Sequence, residues 1–214
     1  SIFPAIAESY TKKDNVALKK HIEDVLFATM FIAAPGGFGL YVLSKPILLL
    51  LFPTRLPEVE IAYNSLAYLG IGVILCCISY PVFCILQAVG RADIPLKIML
   101  AGVVVKLICN VYLIPIPKYN IDGAAIGTVL SYAVICILSF LALKKVFKIK
   151  LNSLKILWAP VYAGILCGVT AMLAYSFLHK LPVLFALPIA IGCGGFIYLL
   201  SCSLMSLPFI KKKK

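Results

Sequence analysis

The sequence predicts an all-α polytopic membrane protein with six transmembrane helices, and three observations carry that prediction. The 214 residues are 63% hydrophobic and only 13% charged, and the mean hydropathy is +1.06. A soluble domain of this size has no interior large enough for that much apolar surface. The apolar residues are gathered into six runs long enough to cross about 30 Å of hydrocarbon as helices. Finally, the basic residues behind the +12 net charge cluster in short connecting segments. That is the pattern of a membrane protein's loops rather than of a nucleic-acid surface.

Taken in order, Ser1 to Ile6 reads as the tail of a preceding apolar helix, and the chain reads as the C-terminal part of something longer. Glu8 to Asp24, with Lys12, Lys13, Lys19 and Lys20, suits an amphipathic surface helix leading into the membrane. The first span is Val25 to Leu43, where Pro35 should kink the helix and Gly36, Gly37 and Gly39 should admit a close neighbour. A phosphate-cradling loop does not fit GGFG here, because no strand or Lys-Ser/Thr flanks it. Ser44-Lys45-Pro46 bends the chain, and Ile47 to Phe52 continues at the interface, where Lys45 can snorkel. The second span, Ile61 to Leu86, carries Pro81 and closes at Gly90, placed as a helix C-cap.

Ile98 to Ile116 is the third span, and Lys106 falls almost at its centre. Half the hydrocarbon core is about 15 Å, and a lysine stem reaches roughly 6 Å, so the ammonium must face protein or water. Gly102 and Asn110 lie four residues before and after it, on one helical face. The eight acids (Glu8, Asp14, Glu23, Asp24, Glu58, Glu60, Asp93 and Asp122) fall in loops or at span ends, so none is expected beside Lys106. Its partner is then a set of backbone carbonyls, an acid from outside this chain, or an anionic substrate.

In the fourth span, Gly123 to Leu143, the residues Gly123, Gly127 and Ser131 recur every four positions, a small-residue stripe suited to tight helix packing. The basic segment 144–155 follows, then the fifth span, Ile156 to Leu178, with Pro160 in its first turn, and the sixth, Val183 to Leu207. The tail 208–214 ends in four lysines. With the N-terminal segment, the 87–97 turn, the 144–155 loop and the tail on one side, that side holds fifteen of the twenty Lys and Arg residues. The opposite loops hold three: Arg55, Lys118 and Lys180. That asymmetry puts both ends in the cytoplasm. The eight cysteines lie inside apolar runs without Cys-x-x-Cys spacing, and His21 and His179 fall in loops, so no metal site, disulfide framework or proton relay is expected. No nucleophile–base pair or cofactor fingerprint supports an enzyme.

The run FPAIAESYTKKDNVALKKHI, followed by SKPILLLLF and by ILQAVGRADIPLKIMLAGVVVKLICNVYLIPIPKYNIDGAAIGTVLSY, resembles the polysaccharide-export flippases of the multidrug/oligosaccharidyl-lipid/polysaccharide exporter superfamily, in particular the stage V sporulation protein B branch. The resemblance covers almost the whole chain. It implies a two-lobed fold in which 1–24 ends a preceding helix and forms a cytoplasmic amphipathic segment. Residues 25–143 would then supply four helices of the second lobe, and 156–207 two additional C-terminal helices. It implies a multi-pass protein of the bacterial plasma membrane that moves an undecaprenyl-linked saccharide by alternating access, with a first lobe outside this chain. Lys106 and Asn110 become the candidate cavity residues. Some relatives bind sodium between the helices matching 98–116 and 123–143; Lys106 and Asn110 stand in corresponding places, and a lysine repels sodium. The other readings are a multidrug-and-toxin-extrusion type cation antiporter, which would want acids at depth, and a non-transporting membrane scaffold for cell-wall assembly. No cofactor and no nucleic-acid partner is expected; the partners are a lipid-linked oligosaccharide and membrane lipids.

Overall fold

A computed structural model describes residues 2–117, 119–147, 153–178 and 181–210. Eight helices follow one another: α1 (Ile2–Thr11), α2 (Asn15–Val42), α3 (Ser44–Leu51), α4 (Leu56–Ala88), α5 (Asp93–Leu113), α6 (Asn120–Phe147), α7 (Ser153–Phe177) and α8 (Val183–Ile210). No strand occurs among the described residues. Six of the helices, α2 and α4 to α8, are long and apolar enough to cross a membrane. The expected loops at Lys118, Lys148, Lys150, His179 and Lys180 and the terminal lysines lie outside the described residues.

The helices begin and end where local chemistry allows, which differs in places from the hydropathy boundaries. Glu8 to Asp24 is not one amphipathic helix. The chain breaks at Lys13, whose φ of 57° is left-handed, and Asp14 then caps α2 by accepting from the N–H groups of Val16 and Ala17 at 3.1 and 3.0 Å. Residues 15–24 are therefore the first turns of the same helix that makes the first span. His21 is helical rather than in a loop, and its Nδ1 lies 3.4 Å from the Ser9 hydroxyl. Pro160 lies well inside α7, which begins at Ser153, rather than in a first turn. Gly90 has a φ of 77°; its N–H bonds to the Gln87 carbonyl and that of Arg91 to the Leu86 carbonyl, the paired bonds of a Schellman cap.

In space the six spans form a row in the order α5, α6, α4, α2, α7, α8, each packed mainly on the next. Short α3 touches both α4 and α8, and α1 lies on α2 and α4. Ile6, Leu18, Ile22, Leu26, Val82, Ile85, Leu86 and Leu143 make one buried cluster joining α1, α2, α4 and α6. The α2–α4 crossing is a glycine contact. A β-carbon on Gly70 would stand 2.7 Å from the Gly37 carbonyl oxygen, and one on Gly37 would stand 2.7 Å from that of Gly70. Gly36 and Gly39 have nothing within 4 Å of that position, so of the glycines read in this span only Gly37 serves the crossing.

Several serine and threonine hydroxyls within the spans are satisfied by carbonyls of their own helices. Thr29 donates to the Val25 carbonyl at 2.9 Å, Ser79 to Leu75 at 2.8 Å and Ser139 to Ile135 at 2.7 Å. They offer little to a polar path, which makes the polar groups of α5 stand out.

Candidate functional site

Helix α5 is 21 residues long, about 31 Å at 1.5 Å per residue, just enough to span. Asp93 opens it, with Lys97 3.6 Å and Arg91 3.9 Å away, and Pro95 sits in the first turn, where its missing N–H does no harm. Its C-terminus is set by Pro115 and Pro117, which disfavour helix in the residues before them. The hydropathy boundaries 98–116 are therefore displaced toward the C-terminus, and Lys106 is seven residues from the end of the helix rather than at its centre. That leaves it about 10 Å from the end, still beyond the reach of its roughly 6 Å stem.

One side of α5 lies on α6. Gly102 packs under Ile135, and a β-carbon on Gly123 would fall 2.9 Å from the Leu113 carbonyl carbon. At Gly127 that carbon would meet Asn110 Oδ1 at 2.7 Å and Cys109 Cβ at 3.1 Å. Ser131 is buried, and its hydroxyl donates to the Thr128 carbonyl at 2.9 Å. The Asn110 Oδ1 is buried with no hydrogen-bond donor among the described residues. It rests on the Gly127 backbone, where a Cα–H···O contact of the kind found at helix interfaces is the compensation available.

Gly102, Lys106 and Asn110 do not share one environment. Residues four apart advance by about 40° around a helix, so Lys106 starts between two residues that meet α6. With the helices this close, a lysine has no room between them, and Lys106 is exposed. It stands on a flank with exposed Met99, Val103 and Leu107. No described residue makes an ion pair or hydrogen bond with it. As the end of the row, α5 touches only α6 and α4 among the described helices, and beyond its first turns, from Ile98 to Leu113, Lys106 is its one charged residue.

Two polar links that the sequence did not signal tie other helices together. Ser65 on α4 donates to Asp122 Oδ1 at the start of α6 at 2.6 Å, across 57 residues. Lys45 on α3 pairs with Glu60 on α4 at 2.6 Å and lies 5.4 Å from the Tyr63 ring centre. The Glu60 carboxylate holds the Lys45 ammonium above the usual lysine range. Lys45 is therefore bonded rather than merely extended toward water. No group of three or more His, Cys, Asp or Glu side chains suited to a metal occurs among the described residues.

Comparison with known proteins places this arrangement. The sequence profile of the family described as lipid II flippase MurJ matches residues 1–192. The chain belongs to the lipid II flippase MurJ family. A probable low-salt glycan biosynthesis flippase of Haloferax volcanii is 29% identical over 198 residues, covering 92% of this chain and 40% of that protein. The lipid II flippase MurJ of Bacillus subtilis is 26% identical over 145 residues, 68% of this chain and 26% of that protein. A solved structure of lipid II flippase MurJ in an inward closed conformation shares the fold with a TM-score of 0.76 at 17% identity, covering 98% of this chain and 43% of that one. The chain thus spans less than half the length of these MurJ-family and flippase relatives, and it lies within the flippase superfamily that its motifs resemble.

If the α5–α6 contact is as tight as these distances show, Gly127→Leu should displace Asn110 and lower the yield of folded protein several-fold, as read by size-exclusion chromatography of detergent extracts. A normal, monodisperse yield would mean that the stripe faces lipid.

Proposed function

We propose that this chain is part of a bacterial plasma-membrane flippase that moves an undecaprenyl-linked saccharide by alternating access, with a further lobe facing the exposed flank of α5. Family membership supports the class of transport, and one observation carries the reading to this chain. The Lys106 ammonium stands on the open side of a spanning helix, beyond reach of its nearer end. A lysine facing lipid costs up to about 2.5–3.5 kcal/mol on the insertion scale, the value at a helix centre, and a residue about 10 Å inside the span bears part of that cost, which argues for a polar cavity in front of it. A fixed positive charge in such a cavity suits the phosphate or pyrophosphate of a lipid-linked sugar, whereas the Asn110 carboxamide oxygen, buried against Gly127, belongs to the α5–α6 contact.

A cation antiporter is less well supported, because a cationic substrate would want carboxylates at depth. Six of the chain's eight acids lie within about one turn of a helix end, Glu23 and Asp24 lie in the polar first turns of α2 ahead of its apolar run, and Asp122 is already bonded to Ser65. A scaffold without transport would give no reason for a charge at this position.

The test is complementation of a bacterium depleted of its lipid II flippase by the full-length gene product. Expected is a fall of the lipid-linked precursor pool on the inner leaflet to the wild-type level. An unchanged pool, with the protein at normal abundance in the membrane, overturns the proposal; resistance to cationic dyes in its place would point to the antiporter.

Orientation is part of the same proposal. Both ends should be cytoplasmic, as the basic residues direct. A membrane-impermeant thiol reagent should label Thr54→Cys, between α3 and α4, from outside, and Gln87→Cys, at the far end of α4, only after permeabilisation. The reverse pattern would invert the topology.

A further inference from the structure

In an α-helix the N–H at position 35 would donate to the carbonyl of Phe31. Pro35, inside α2, has no N–H, and its ring crowds that carbonyl outward. In lipid an orphaned backbone carbonyl is expensive, so a partner has to come from elsewhere. The partner is present. The Tyr198 hydroxyl, on α8 and 167 residues away, donates to the Phe31 carbonyl at 2.7 Å. Tyr198 is only 3% exposed, and its ring centre lies 5.4 Å from that of Phe31. Helix α7 lies over the same segment of α2. A β-carbon on Gly164 would fall 2.9 Å from Ala34 Cβ, and one on Gly168 3.4 Å from Phe38 Cβ.

We propose that Tyr198 is a positioning residue that supplies the hydrogen bond Pro35 withholds, so that α7 and α8 hold the Pro35–Gly39 segment of α2 in a single shape. This segment is the weakest stretch of α2. It follows a broken rung of the helical ladder and contains three glycines, each a poor helix former. Gly37 within it forms the crossing with α4, so the shape of this segment sets how α2 meets the rest of the row. The inference concerns the internal mechanics of the bundle and does not depend on the substrate carried.

The experiment is a double-substitution cycle in the full-length gene product. Tyr198→Phe removes only the hydroxyl, and Pro35→Ala restores the backbone donor. Deuterium exchange of backbone amides is read on peptides covering residues 31–39. Hydrogen bonds between membrane helices average about 0.6 kcal/mol and reach about 1.7. Tyr198→Phe should therefore speed exchange about 3- to 18-fold when residue 35 is proline. With alanine at 35, the same change should have almost no effect, because the restored N–H serves the Phe31 carbonyl. Equal acceleration in both backgrounds would assign the effect to packing and overturn the proposal, as would no acceleration in the proline protein. Should Tyr198→Phe fail to accumulate, recovery on adding Pro35→Ala supports the coupling, and failure to recover overturns it.

Discussion

A full-length protein carrying Lys106→Met is expected to reach the membrane at normal abundance and to lose complementation of a flippase-depleted strain. Methionine keeps the apolar stem and removes the ammonium, and insertion becomes easier by up to about 2.5–3.5 kcal/mol, the cost of a lysine at a helix centre on the insertion scale. Packing is not at stake, because the side chain is exposed and lies beside the α5–α6 contact rather than within it. Lys106→Arg, which preserves the charge but spreads it over a planar fork, should retain part of the function. Immunoblotting of membranes alongside the growth assay separates the outcomes. A fully active methionine variant would remove Lys106 from the transport path, and a loss of abundance would assign it a structural role.

Gly70→Ala is expected to be among the most damaging single-methyl changes in the chain. The added carbon would lie 2.7 Å from the Gly37 carbonyl oxygen and 2.8 Å from the Tyr41 backbone nitrogen. Both are main-chain atoms that cannot turn aside as a side chain can. Forcing α2 and α4 apart should cost about 1–3 kcal/mol, the range found for overpacked interiors, and should be read as a lower thermal midpoint of the purified protein. Gly36→Ala supplies the control, one residue from the Gly37 partner. Nothing lies within 4 Å of its β-position, and alanine is the better helix former by about 0.8–1 kcal/mol, so that variant should be neutral or more stable. Similar losses in both proteins would show that the helix itself, not the crossing, tolerates no change.

The two glycines mark the limit of what a one-dimensional reading can reach. PGGFG announced close packing in the first span, yet nothing in the sequence separates Gly37, which touches α4, from Gly36 and Gly39, which have open space at their β-positions. Nor did Gly70 stand out as its partner. Which face of a helix meets a neighbour depends on where that neighbour lies, and a nearly all-apolar helix gives no polar side to orient it. Gly123, Gly127 and Ser131 were easier to read because four-residue spacing is itself a face.

The sequence by itself determined the class of the protein, its six spans, the capped turn at Gly90 and the resemblance to flippases. Each of these follows from composition, from the bilayer's thickness or from local backbone chemistry, which act over one turn or one helix at a time. Tertiary structure decided the spatial order α5–α6–α4–α2–α7–α8, and through it the fate of individual polar groups. It placed Lys106 on the open flank of α5 at the end of the row, buried the Asn110 Oδ1 against Gly127, and brought Tyr198 to the carbonyl that Pro35 leaves free. Hydrogen bonds and close contacts depend on ångström distances between residues far apart in the chain, and in lipid a stray backbone group finds no water to fall back on. The partner of such a group can lie 167 residues away, and only the packed helices say which residue it is.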